Sequence, residues 1–383
     1  MRIGRRSVVG GGLALAAAGV PLGRAFAADK PPYVNRIAID GNRVWIAAKI
    51  GDKGPYFFII DTGAYISLIN DAFAKSLGLS KRLGQAAMGI GGVSDHSWYN
   101  AGTVSLASGI RFPEMLFAGT DAKLGKDAVG SFGAGLFTTY DSDLDFAKGE
   151  WRAYTGGRPN FDGLVKLKSR FTKDSGGARI IADATVDGFE GDFLIDTGAP
   201  GEILLSGRAA ANSGLWNDSQ PYSPGRLHGI GKGSVEARTV RAKRLKIGPF
   251  VFERPLVRLS APGTPSAPQD GIIGLKTLGL LHLTTDVSSG TLWAAPNEAP
   301  QAPSTYPLSG VWLEEERGRV VVEEVGTGSP AAAAGLRKGD VLIGGDLPAM
   351  IRAINGGPGR QISLKIQRGG TQQDLHYTLA DYL

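Results

Sequence analysis

Asp61-Thr62-Gly63-Ala64 recurs, letter for letter, as Asp196-Thr197-Gly198-Ala199. Each copy ends an apolar run: Phe57-Phe58-Ile59-Ile60 precedes the first and Phe193-Leu194-Ile195 the second. A single such tetrapeptide says little, because Asp, Thr and Gly all favour turns. Two copies in matching contexts point to two halves that each supply one carboxylate to a shared site. Carboxylates held close together cannot both ionise, so one keeps its proton near neutral pH. Such a pair can activate a water with one member and protonate a leaving group with the other.

The repeat extends well beyond the tetrapeptide. The aspartates are 135 residues apart, while Gly89-Ile90-Gly91-Gly92 returns as Gly229-Ile230-Gly231-Lys232-Gly233 at an offset of 140. Gly130-Ser131-Phe132-Gly133 returns as Gly271-Ile272-Ile273-Gly274 at an offset of 141, which also relates Asp145 and Gly149 to Asp286 and Gly290, ahead of Trp151 and Trp293. Order and spacing kept across five features indicate duplicated lobes. Within each lobe the pattern predicts a hairpin, Ile46 to Ile50 with Tyr56 to Ile60 and Ile180 to Val186 with Asp192 to Ile195. A short helix follows, Asp71 to Leu79 and Gly207 to Leu215, with Gly78 and Gly214 as its stops.

Composition narrows the partners. The chain has 383 residues, 57 of them glycine, and no cysteine, so disulfides, thiol nucleophiles and cysteine metal sites are excluded. Arg2, Arg5 and Arg6 precede the apolar stretch Val8 to Val20 and the small-residue run Ala25-Phe26-Ala27, the pattern of an export signal over residues 1–27. Arg5-Arg6-Ser7-Val8-Val9 resembles a twin-arginine signal, and an ordinary secretory signal is the alternative. An exported protein, periplasmic or secreted, is expected. The signal holds four arginines and no acid, leaving 42 − 4 = 38 basic against 36 acidic groups. That balance makes no case for nucleic acid or an acidic membrane, and no stable membrane anchor is expected. His96, His228, His282 and His376 are scattered without metal spacing, and no metal or cofactor is expected.

The apolar run before Asp-Thr-Gly-Ala, the glycine-rich turn about 30 residues later, and the apolar-apolar-Gly segment before a final strand resemble the retropepsin-like aspartic proteases, over residues 35–297. The resemblance implies a mainly β fold in which two such lobes, 33–158 and 159–297, pair within one chain as a pseudo-dimer. It implies an aspartic endopeptidase with Asp61 and Asp196 as catalytic dyad, supported by Thr62, Gly63, Thr197 and Gly198. The threonine hydroxyls brace the two loops, and Gly133 and Gly274 pass beneath them. Ile90-Gly91 and Ile230-Gly231 become flap tips closing over a peptide or unfolded protein. A noncatalytic peptide-binding protein is the other reading. Ser131-Phe132-Gly133 is less aliphatic than its counterpart, and the first turn has a glycine where the second has Lys232, so the groove need not be symmetric.

Ala294 to Pro307 is rich in proline, alanine and polar residues and reads as an extended tether, with 298–305 as linker. Beyond it, Ser329-Pro330-Ala331 leading to Gly335-Leu336 and Gly339-Asp340-Val341 resembles a PDZ domain over 306–383. That resemblance puts the peptide-binding groove at Gly310, Val311, Trp312 and Leu313, and Leu347 to Asn355 reads as a second short helix. The sequence leaves the oligomeric state and natural substrate open.

Overall fold

The computed structural model describes residues 30–383 apart from 83–85, 90–91, 96, 126, 173–176, 229–232, 265–268 and 299–302. The expected export signal, His96 and the flap-tip residues Ile90, Gly91, Ile230 and Gly231 lie outside the described residues.

Each lobe is organised around the strand that delivers its aspartate. Lys53–Ile60 pairs antiparallel with Arg43–Ile50, Ile46 opposite Phe58. On its other side Gly130–Phe132 runs parallel, Ser131 opposite Ile59. Successive residues Phe58, Ile59 and Ile60 are all buried, which explains a continuous apolar run where a half-exposed strand would alternate. Gly130–Phe132 also pairs antiparallel with Leu68–Asn70, so the aspartate strand and the strand that follows its loop share one partner. The second lobe repeats this connectivity: Phe189–Asp196 lies between Ile180–Val186 and the parallel strand Gly271–Gly274, which in turn pairs with Ile203–Leu205.

The helices sit where their caps predict. Asn70 accepts from the Phe73 N–H to open Asp71–Ser76, and Ser206 accepts from the Ala209 N–H to open Gly207–Asn212. Both then stop at a glycine with φ of +71°, Gly78 and Gly214. The hairpin strands reach further than the sequence indicated, starting at Arg43 and at Phe189, because Arg43 to Trp45 pair with Ala38 to Asp40 and Phe189 to Gly191 pair with Ala184 to Val186.

The closing segments of the repeat form the seam between lobes. Asp141–Asp145 pairs with Leu281–Asp286, Asp143 opposite Thr284, and Glu150–Tyr154 and Thr291–Pro296 flank them. Tyr33–Asp40 and Val165–Lys166 complete the same shared sheet on either side. Buried in this seam, Asp143 accepts hydrogen bonds from Tyr154 (2.7 Å), Thr284 (2.8 Å) and Arg158 (3.0 Å). Burial pushes its carboxyl up, but His282, Tyr154 and Arg158 outweigh it and hold Asp143 well below the usual carboxylate range.

The C-terminal module is a five-stranded antiparallel sheet: Val311–Glu316, Arg319–Val325, Val341–Ile343, Gln361–Arg368 and Thr371–Thr378. Two helices, Pro330–Ala333 and Leu347–Ile354, are capped by Ser329 and Asp346. Asp340, nearly fully buried, accepts both prongs of the Arg368 guanidinium at 2.6 Å.

The tether expected over Ala294 to Pro307 is replaced at both ends by packed chain. Ala294 is fully buried within Thr291–Pro296, and Tyr306 and Leu308 enter the module's own core. The module also docks on the second lobe. Leu256 of that lobe belongs to the module's apolar cluster, and Tyr222 donates its N–H to Thr327 O and accepts from the Tyr382 hydroxyl. Gly326 lies so close to Tyr222 that a Cβ would meet its carbonyl oxygen at 1.9 Å.

Candidate active site

Asp61 and Asp196 close their strands at the floor of the interface between lobes. In each loop one carboxylate oxygen accepts two backbone N–H groups. Asp61 Oδ1 takes those of Gly63 and Ala64, both at 3.1 Å. Asp196 Oδ1 takes those of Gly198 (2.7 Å) and Ala199 (3.1 Å). These bonds orient the carboxyls before any substrate arrives, and the two side chains also hydrogen-bond to each other.

The threonines lock the loops across the seam. Thr62 Oγ1 donates to Ile195 O (2.8 Å) while accepting from the Thr197 N–H (3.0 Å). Thr197 Oγ1 donates to Ile60 O (2.7 Å) while accepting from the Thr62 N–H (3.1 Å). A hydroxyl is needed because it must do both at once. Both threonines are buried, so these bonds are shielded from water.

The glycines of the two loops pack against the opposite aspartate. A Cβ on Gly63 would lie 2.3 Å from Asp196 Cγ, and one on Gly198 2.5 Å from Asp61 Cγ. Close approach therefore requires glycine here, without any unusual φ. Gly133 and Gly274 run under the loops: a Cβ on Gly133 would meet Ala64 O at 2.8 Å, and one on Gly274 would meet Gly201 O at 2.4 Å. Phe132 O accepts the Asp61 N–H at 2.9 Å, so the returning strand also supports the aspartate loop from below.

Burial raises the pKa of both carboxyls. For Asp196, desolvation and then the charge of Asp61 push it up to about 8. For Asp61, desolvation is opposed by the hydrogen bond from Asp196, the two loop N–H groups and the positive charge of Arg43. With Asp196 raised to about 8, the pair keeps a proton at neutral pH, and a carboxyl pair that holds a single proton can act as base and acid together.

Residues 46–134 and 182–277 match the aspartyl protease family, and residues 307–379 match the PDZ domain. The chain belongs to the aspartyl protease family and carries a C-terminal PDZ domain. Among solved structures it is similar to basic 7S globulin from soybean, with 11% identity over 70% of this chain and 95% of that one and a TM-score of 0.39. An aspartic proteinase from Irpex lacteus shares 13% identity over 70% of this chain and 98% of its own, with a TM-score of 0.43. A retropepsin-like aspartic protease from Rickettsia conorii shares 16% identity over 35% of this chain and 93% of its own, with a TM-score of 0.26. No curated protein matches the chain significantly.

Around the two aspartates the lobes differ. Ser131 and Ile272 hold equivalent places beside the aspartate strands; Ser131 is buried with its hydroxyl unpartnered, whereas Ile272 is half-buried. In the first lobe the hairpin strands Ala86–Gly89 and Gly92–Asp95 form a separate two-stranded sheet. In the second lobe the corresponding strands Ser223–His228 and Ser234–Arg241 are part of the lobe's main sheet and of the surface on which the PDZ domain docks.

In the PDZ domain, Gly310 has φ of +68° and packs on Ser329, where a Cβ would lie 2.2 Å from the serine Cβ. Its N–H donates to Pro307 O (3.2 Å) and its carbonyl accepts from Gly326 (2.8 Å). The Val311 and Leu313 side chains face the domain core, Val311–Glu316 is the edge strand of its sheet, and half-buried Trp312 donates to Glu314 at 2.7 Å. No helix among the described residues is long and apolar enough to cross a membrane.

Two elements of this region carry no signal in the sequence. Arg43, 18 residues before Asp61, donates to Gly198 O across 155 residues at 2.9 Å. Arg238 lies over Tyr222 (3.9 Å) and Trp216 (4.4 Å) and reaches Glu324 of the PDZ domain at 3.1 Å.

Proposed function

We propose that this protein is an aspartic endopeptidase that hydrolyses peptide bonds in an extended or unfolded chain. One observation carries the reading: two carboxyls that hydrogen-bond to each other, each oriented by its own loop N–H groups, on loops braced by reciprocal threonine bonds. One aspartate, ionised, takes a proton from water as the water oxygen bonds to the peptide carbonyl carbon. The other, protonated, gives its proton to the carbonyl oxygen. Collapse of the resulting gem-diol breaks the C–N bond, the amine takes the proton held by the first aspartate, and the second recovers its own from the diol. No step needs a group that the chain does not supply.

The PDZ domain, in this reading, holds a segment of the substrate chain along the edge strand Val311–Glu316 by strand addition. The protein works outside the cytoplasm, as the pattern of residues 1–27 suggests. The test is cleavage of unfolded casein by wild type and by Asp61→Asn and Asp196→Asn, followed from acid to alkaline pH. Wild type should cleave best in acid and lose activity as the dyad's last proton leaves, and both variants should be inactive. Binding of casein without cleavage by wild type would favour the noncatalytic peptide-binding reading.

A further inference from the structure

Alternation along the strands sorts each lobe's residues onto two faces of its sheet. In the second lobe Phe193 and Ile195 belong to the apolar core and Leu194 between them does not. The same holds for Leu204 between Ile203 and Leu205, and for Arg258 between Val257 and Leu259. Leu194 precedes Asp196 by two residues and so shares its face. Cross-strand partners share a face as well, and the register runs from Leu194 to Ile272, from Ile272 to Leu204, and from Leu204 to Arg258. Arg258 therefore stands on the aspartate face, three strands out from the strand of Asp196, about 14 Å at ordinary strand spacing. In the first lobe the same register runs from Ile59 to Ser131, to Leu68, to Ala118. The counterpart of Arg258 is thus Ala118, fully buried and without charge. Arg258 is exposed, and its Nη2 donates to Arg226 O at 2.6 Å. On the adjoining hairpin Arg226 and Arg238 each reach a carboxylate, Glu314 and Glu324. Arg258 meets none among the described residues, so most of its N–H donors are uncommitted.

We propose that Arg258 determines substrate preference by taking the carboxylate of an Asp or Glu side chain of the bound peptide on the second lobe's side of the cleft. This rests on the proteolytic reading above and names the substrate class within it. The guanidinium presents a planar fork of donors that matches a carboxylate. An extended peptide advances about 3.3 Å per residue, so the acidic residue falls within about four residues of the cleaved bond. The two lobes face each other across the aspartates, and Ala118 offers no cation. The acidic preference therefore falls on one side of the cleaved bond.

The experiment uses the full chain and mixed-sequence peptide pools in which Glu or Gln is fixed at each position in turn. Cleavage is read as kcat/KM with the cleaved bonds located by mass spectrometry, and binding of the same pools is measured on Asp61→Asn. Wild type should favour Glu over Gln about three- to tenfold at one position on one side of the cleaved bond, and less as salt rises. In Arg258→Gln that ratio should fall to about one, Arg258→Lys should recover most of it, and Arg258→Glu should favour Lys at the same position. A general distortion of the hairpin would slow both members of each pair together and leave their ratio unmoved. No Glu preference at any position in wild type, or one that survives in Arg258→Gln, would overturn the proposal. If wild type cleaves nothing while Asp61→Asn binds the Glu pools more tightly, and Asp61→Asn with Arg258→Gln does not, the proteolytic reading fails and the acidic-ligand site stands. Neither cleavage nor binding that depends on Arg258 would overturn both.

Discussion

The two lobes are nearly identical where they meet and unlike where they face outward. At the seam, each loop makes the same pair of N–H bonds, each threonine both donates and accepts, and each glycine touches the other lobe's aspartate. At the periphery, the hairpin of residues 86–89 and 92–95 stands as a separate two-stranded sheet, whereas its counterpart in the second lobe is built into that lobe's sheet and carries a docked domain. Arg238, on the second hairpin, is sandwiched against Trp216 and Tyr222 and joins Asp218 to Glu324 of the PDZ domain. Arg226, on the same hairpin, reaches Glu314 of the PDZ edge strand at 3.2 Å. The difference teaches where a duplicated fold can diverge. The seam must satisfy two loops at once, so a change on one side needs a matching change on the other. A peripheral hairpin answers to its own lobe and is free to acquire a partner.

The largest expected effects fall on the symmetric part. Asp61→Asn and Asp196→Asn should each lower casein cleavage by roughly a thousandfold or more, and the double variant should be little worse, because the pair acts as one unit. Near-normal turnover in either single variant would break the equivalence of the lobes. Gly63→Ala and Gly198→Ala come next. Each new methyl would collide with the opposite carboxyl, so the loops must part, and a loss of about a hundredfold in kcat is expected from either. A tolerated alanine on one side only would show that the close packing matters in one lobe and not the other.

The third prediction concerns stability against pH. Asp196 is raised from 3.8 to about 8 in the folded chain, so the stability it contributes is complete below 3.8 and is lost as pH rises through about 8. Asp196→Asn has no such proton to lose. Its thermal stability relative to wild type should therefore grow between pH 4 and 8 and level off above, as read by calorimetry across that range. A gap that does not change with pH would mean the pair is not sharing a proton. The smallest effect belongs to the periphery. Arg238→Met leaves Glu324 largely buried without its cation and should cost about 2 kcal/mol. Amide exchange should quicken in the strands 223–228 and 234–241 and leave the first lobe's hairpin strands, 86–89 and 92–95, unaffected. Equal changes in both hairpins would mean the docked domain does not distinguish the lobes.

The seam was legible in the sequence because its requirements are local. A turn after a buried strand needs the Asp-Thr-Gly types in that order, and the same need arose twice, so the repeat announced itself. The helix stops at Gly78 and Gly214 were legible for the same reason, since a positive φ leaves glycine as the favoured residue. The docking was not. Proline and alanine after Trp293 indicate extended chain, but extension does not say whether Tyr306 and Leu308 find a core. Arg238 and Glu324 come from two separate strands and Tyr222 and Gly326 from the segments just outside strands, and no spacing connects them. Arg43 was invisible for a related reason: its partner is a carbonyl, which leaves no trace in residue type.

The central claim is that both carboxyls of the site come from one chain. The most direct test mixes Asp61→Asn with Asp196→Asn after each has been folded alone, and also after the two are refolded together. Since each chain then contains one intact and one disabled loop within its own site, the account predicts no cleavage of casein above background in either mixture. Recovery of a substantial fraction of wild-type activity, above all after joint refolding, would show that intact loops from two chains can meet and would contradict it.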